Sequence, residues 1–291
     1  MSSLAPAAPR APRPPSPGLR ATAIAIGNEV HKGLLHAWGE RFQILTELPL
    51  FVVSLLLFAL LVGRGEEIAS GHLDWRLDPA RVAPLFVGYA AFTFFYLQTA
   101  KLFWRLLGEI QTGTLEQVYL SPLPAWLVAT AGRVLATVLE TSAIVAILYL
   151  VMFAIMPFHL AWRPQALVPL AFIVVASVGY SLVEGGLTLV WKRVELIHEL
   201  AMGSMIFFSG ALIPLDRLPG WMAAVGRLTP IGQGVVALRA VLIDGRAGFP
   251  AWGDGGLVGM VATSGAYLLF GIAAFSLGES IAKRRGSLGR Y

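Results

Sequence analysis

Cysteine is absent from the 291 residues, which excludes disulfide frameworks and thiolate metal sites alike. Charge is scarce as well. Only 13% of the residues are Asp, Glu, Lys or Arg, while 56% are hydrophobic and the mean hydropathy is +0.71; an ordinary soluble domain carries about 25% charged residues. That deficit excludes a conventional soluble enzyme. The local signatures of catalysis are also missing, since no G-x-S-x-G, H-E-x-x-H or G-x-x-x-x-G-K-[ST] occurs. Without the last of these the chain has no phosphate-binding loop and no nucleotide hydrolysis of its own. No internal repeat at a fixed period is present, nor a clear inverted repeat.

The net charge of +5 does not signal a nucleic-acid partner, because the basic residues stand singly between apolar runs and form no stripe. A metal or catalytic site is not expected either. His198 and Glu199 open the segment HELAM, which lacks the second histidine of a zinc motif. Glu195 and His198 have the i, i+3 spacing of carboxylate-bridged metal sites, but such sites take further carboxylates from facing helices. Beside Lys192 and Arg193 the pair reads as a solvated junction between helices.

What is present is a series of apolar runs. One crossing of the hydrocarbon core takes roughly 20 residues, so the length accommodates about six. They fall at residues 48–62, 84–100, 126–153, 167–191, 196–213 and 256–277, the last with no charge at all. The expected fold is therefore all-α, a polytopic membrane domain over residues 20–278 with six transmembrane helices. Residues 1–19, rich in proline, read as a disordered cytoplasmic tail, and residues 279–291 as a basic cytoplasmic tail. On this topology 14 of the 22 basic residues fall on or near the inner side.

Before the first run, over residues 20–47, Val30, Leu34, Trp38 and Phe42 recur at every fourth position, with Leu35 and Leu45 beside them. Glu29, Lys32, Glu40 and Gln43 point elsewhere. The pattern predicts an amphipathic helix along the inner membrane surface; the alternative is a helix packed on the bundle. After the fifth run comes a cluster of helix breakers that includes Gly210, Pro214, Pro219 and Pro230. Between them lie two fragments, 218–228 and 231–243, each too short to cross. They read as a re-entrant or interfacial helix pair on the outer side, before the last span.

Two acids sit inside spans, Glu140 in the third and Glu184 in the fourth. An ionised carboxylate at mid-bilayer costs about 2.5–3.5 kcal/mol, so each needs a partner or a water-filled path. Arg133, two turns before Glu140 on the same face, is a candidate partner, or it meets a lipid headgroup. The three residues are consistent with an interhelical clamp or with a translocation path.

Between the second and third runs lies EIQTGTLEQVYLSP, residues 109–122. Thr114 and Gln117 have capping-box spacing, which predicts a short helix ending before Ser121 and Pro122. Such a helix presents a rigid knob to a partner's groove.

Two segments resemble a known family. Glu109, Gly113, Thr114, Leu115, Glu116, Gln117, Leu120, Ser121, Pro122 and Leu123 resemble the cytoplasmic coupling region of type-2 ABC exporter permeases. The stretch FFSGALIPLDRLPGWMAAVGRLTPIGQGVVALRAVL, residues 207–242, is similar to that family's fifth span, outer helices and return. The resemblance implies a bacterial inner-membrane permease with both termini cytoplasmic, joined to a second permease chain and to two ATPase subunits. Those subunits would use ATP and Mg²⁺; this chain would bind no cofactor. It further implies that the 109–122 region and the N-terminal helix contact the ATPases, and that the path lies between the permease chains. In lacking a large extracellular domain the chain resembles small drug-exporting members, with polysaccharide or glycolipid export as the alternative. A proton-coupled secondary transporter and a membrane-embedded enzyme are the readings from other classes. The first would need no ATPase, and the second a convergence of polar residues that the sequence lacks.

Overall fold

Long apolar runs leave backbone amides no partner but their own chain, and helices are the result. The computed structural model describes residues 19–39, 41–63, 79–112, 125–191 and 194–285, and in these the regular structure is all helical. In chain order the helices are α1 (Leu19–Gly39), α2 (Arg41–Gly63), α3 (Pro79–Thr112), α4 (Ala125–Ile155), α5 (Leu167–Val190), α6 (Glu195–Phe208), α7 (Gly220–Leu228), α8 (Gly232–Leu242) and α9 (Leu257–Arg285). Single 3-10 turns, Pro164–Ala166 and Leu215–Arg217, precede α5 and α7.

Among the described residues, four helical segments are long and apolar enough to cross a bilayer: Ala80–Glu109, Gly132–Ile155, Pro164–Val190 and Leu257–Arg285. The chain is thus a polytopic membrane protein. Six such segments were expected, and two of the six are shorter. The apolar part of α2, Thr46–Val62, falls short of 18 residues. Helix α6 has 14 residues, about 21 Å at 1.5 Å per residue against about 30 Å of hydrocarbon. It stops because Gly210 takes a left-handed φ of +77°, and Pro214 follows with no amide to donate.

Other boundaries move too. Residues 41–47, expected at the end of the amphipathic helix, belong to α2. Helix α1 lies along α4, where Gly33 meets Ala136 and Glu29 meets Gly132 at close range, while Leu35 and Trp38 are exposed. Helix α9 continues through residues 279–285, the first half of the expected tail.

The bundle is organised around α3, the only one of the four crossing segments with most of its apolar window enclosed, 78% against 17–39% for the others. Phe86, Phe92 and Phe95 of α3 pack with Met152, Phe158, Ile173 and Leu238 in one core. Helix α8 is pressed against α3 and α5 with Val235, Ala237, Leu238 and Val241 buried, whereas most of α7 faces outward.

Helices α5 and α9 share the most extensive contact in the fold. Gly179 and Gly186, seven residues apart on α5, lie against Gly271 and Gly278, seven apart on α9. A methyl group on any of the four would run into backbone of the opposite helix. Within a membrane, where helices gain nothing from leaving lipid for each other, close backbone approach of this kind supplies the packing energy. Gly271→Leu is therefore expected to cost about 3 kcal/mol or more and to abolish a monodisperse species in detergent. Gly265→Leu on the same helix, where a Cβ meets nothing within 4 Å, should leave thermal unfolding unchanged.

Candidate functional site

Helices α3 and α4 run side by side and are joined by two ion pairs in reversed order along the chain. Lys101 of α3 donates to Glu140 of α4 at 2.6 Å, with side chains 22% and 10% exposed. Arg133 of α4 grips Glu109 of α3 with both arms, Nη1 reaching Oε2 at 3.0 Å. Arg133 thus does not serve Glu140, although the seven-residue spacing puts both on one face. A nearer counter-charge on the neighbouring helix takes each.

Glu184 is joined to another helix as well. His198 of α6 holds its Nδ1 2.8 Å from Glu184 Oε1, and its ring stacks on Phe103 with centroids 4.5 Å apart. The junction at residues 195–198, expected to be solvated, instead buries His198 to 1% exposure. Among the described residues no group of three or more His, Asp or Glu is placed to hold a metal ion.

A fourth buried polar contact carries the breaker-rich region. Arg239 of α8 donates from Nε to Pro84 O at 2.9 Å, from Nη1 to Gly210 O at 2.7 Å and from Nη2 to Ala211 O at 2.7 Å. Three carbonyls, one from α3 and two from the turn after α6, are thereby tied to one guanidinium. Gly88, one turn after Pro84, leaves the room, since a Cβ there would collide with Ala211 O and the Arg239 guanidinium. Pro214 leads into the turn Leu215–Arg217, Pro219 caps α7, and Pro230 stands between α7 and α8. There Thr229 receives the amide of Gly232 at 3.1 Å and donates to Gly226 O at 2.7 Å.

Between α1, α2, α3, α4 and α6 opens a cavity of about 690 Å³. Phe51, Phe92, Tyr96, Trp104, Met202 and Ile206 give it an apolar and aromatic wall; Glu47, Lys101, Arg105, Glu140 and Glu199, with His36, give it charge of both signs. It straddles the point where the apolar run of α3 ends and its charged end begins. Of the expected path residues, Glu140 lines this cavity while Arg133 and Glu184 do not. Of the expected coupling residues, Glu109 lies in the last turn of α3; Gly113, Thr114, Leu115, Glu116, Gln117, Ser121 and Pro122 fall outside the described residues.

Lys101, His198 and Arg239 were not singled out as buried contacts. For Lys101 and Arg239 a signal existed in the sequence, a lone cation ending or interrupting an apolar helical stretch. For His198 the neighbouring charges of residues 192–199 pointed the other way.

Removing one member of a pair strands the other. Lys101→Met should therefore cost about 2 kcal/mol, less than the ~3–5 kcal/mol of a fully enclosed pair because water still reaches the lysine. Lys101→Met with Glu140→Leu should recover most of it, as read from a double-mutant cycle of denaturant stability.

No curated protein matches the chain. A family model described as ABC-2 type transporter matches residues 29–243 of the 291. The match takes in α2 to α8, the cavity and the Lys101–Glu140, Arg133–Glu109 and Glu184–His198 contacts, and with it the chain belongs to the ABC-2 type transporter family, as a membrane permease subunit without a catalytic centre of its own.

Proposed function

We propose that this permease exports a hydrophobic or amphiphilic compound, in the manner of drug and antibiotic exporters, as one of two permease chains driven by two separate ATPase subunits. The cavity carries the reading. Its volume of about 690 Å³ lies within the roughly 300–1,000 Å³ of sites for drug-sized molecules. Its rings and methionine suit an apolar body of varied shape, and its paired charges at one edge suit a polar head. Glu140, paired with Lys101 at that edge, serves both as clamp and as cavity wall in this reading, while Arg133 and Glu184 serve as clamps.

In this reading α2 and α6 complete six crossings: α2 has 23 residues, about 34 Å, and α6 is extended by the chain that follows it to residue 213. Helix α1 lies at the inner surface of a bacterial cytoplasmic membrane, with both termini cytoplasmic. Helices α7 and α8, bounded by Gly210, Pro214, Pro219 and Pro230, form the outer re-entrant pair, a placement favoured by the depth to which α8 enters the bundle.

ATP binding shifts the permease between inward-open and outward-open forms only through contacts that differ between the two. Residues 109–122 are where the ATPase supplies them. Glu109 connects that segment to α4 through Arg133, so a push on the segment is delivered to α3 and α4 together. The test is Leu115→Gly combined with Glu116→Lys in the assembled transporter. ATP hydrolysis should persist while export falls about tenfold or more, within the usual range of coupling energies; unchanged export overturns the assignment. Trp104→Ala should alter the cargo profile at a normal membrane level. A profile confined to polysaccharide or glycolipid would replace the amphiphile as cargo.

A further inference from the structure

One of the three interhelical pairs contains a histidine, and its burial is of a different order. His198 is 1% exposed and the Glu184 side chain 8%. The imidazole is sandwiched by α3, flat against Phe103 with an interplanar angle of 8° and edge-on to Trp104 at 6.4 Å. Two polar atoms of the pair, Glu184 Oε2 and His198 Nε2, are buried without a hydrogen-bond partner among the described residues. The ionisable groups that face the pair are Tyr180 on α5 and Glu199 on α6. From α3 come the two rings, and from α9 Tyr267, which faces Tyr180 at 6.3 Å. Lys192 and Arg193, between α5 and α6, lie outside the described residues.

A carboxyl and an imidazole in contact hold zero, one or two protons. With none the pair is an anion, with two a cation, and with one it is neutral overall. Enclosed among rings, only the last avoids burying a net charge. Once α6 parts from α5 and water enters, each group titrates by itself, a glutamate near pH ~4.3 and a histidine near ~6.5. The separated groups then hold no proton above about pH 6.5, one between about 4.3 and 6.5, and two below.

We propose that Glu184 and His198 form a proton-binding latch, which takes up one proton when α6 closes on α5 at neutral or higher pH and releases it when they part. Above about pH 6.5 the closed form holds one proton more than the open form, so its advantage falls about tenfold per pH unit as pH rises. Below about pH 4.3 it holds one fewer, and the advantage falls as pH drops; between the two values it is level. Helix α6 also lends Glu199, Met202, Gly203 and Ile206 to the cavity, so the latch sets the position of one cavity wall. That last consequence rests on the permease reading, whereas the proton count does not.

The natural absence of cysteine makes the latch accessible to a single introduced thiol. Thr188, one turn beyond Glu184 on the same face of α5, is 1% exposed, and Ala247 in the loop between α8 and α9 is exposed. Full-length Thr188→Cys and Ala247→Cys chains in lipid nanodiscs are labelled with a water-soluble, positively charged methanethiosulfonate from pH 5 to 8.5. Taking the ratio of the two rates cancels the titration of the thiol itself. The ratio should be level up to about pH 6.5 and rise about tenfold per unit above it. Adding Glu184→Gln should abolish that rise, and adding His198→Gln should move its onset down by about two units, towards the glutamate value. A ratio level from pH 6.5 to 8.5 in the chain with both residues intact overturns the latch, as does an identical rise with Glu184→Gln. Should Glu184→Gln fail to fold, the onset with His198→Gln decides, an unmoved onset counting against the proposal.

Discussion

A charge carried into an apolar helix bundle has to be met by another polar group, because lipid offers none and water is far away. In this chain those meetings converge on α3. Lys101 and Glu109 hold α4, Pro84 lends its carbonyl to Arg239 of α8, and Tyr89 shares a hydrogen bond with Ser54 of α2. Phe103 supplies the surface on which the His198 imidazole of α6 rests. The most enclosed crossing helix is thus also the one to which neighbours are fastened polar group by polar group. Packing alone seals α5 to α9, where four glycines replace polar fastening with backbone contact.

These two kinds of joint divide the molecule. The glycine seam tolerates no shift along its length, since each glycine of one helix lies against the backbone of the other. The polar joints are each one to three bonds, and the cavity opens among helices that they connect. Flexibility in such a bundle belongs where contacts are few and hydrogen bonds discrete. The cavity wall contributed by α6 is of that kind, while none of the residues that line the cavity comes from α5 or α9.

Much of this was legible in the sequence, and what was not has a physical reason. Span positions followed from hydropathy because a helix is the only option in lipid, and the ends of α4 and α5 fall within a residue or two of expectation. Helices α7 and α8 were likewise marked out by Pro219, Pro230 and Gly232. Partner choice was harder. Spacing along one helix places Arg133 and Glu140 on a common face, but which acid meets which base depends on how the adjacent helix is tilted and rotated, and that is set by packing. The run expected to end at residue 100 continues as helix to Thr112, with Lys101 and Glu109 matched from α4. The burial of His198 was concealed by its sequence neighbours Glu195 and Glu199, which are half-buried and exposed on the same helix.

The guanidinium of Arg239 has one more implication. Helix α3 spans 34 residues, about 51 Å as a straight rod, and between Glu109 near one tip and Pro84 near the other it is unbroken. Because Arg239 holds Pro84 together with both carbonyls of the bend at Gly210 and Ala211, the short helix α8 and that bend are fastened to the far end of the rod. The glutamate end and the small half-helix region, some 40 Å apart, are thereby joined through one continuous helix with a single arginine as its hook.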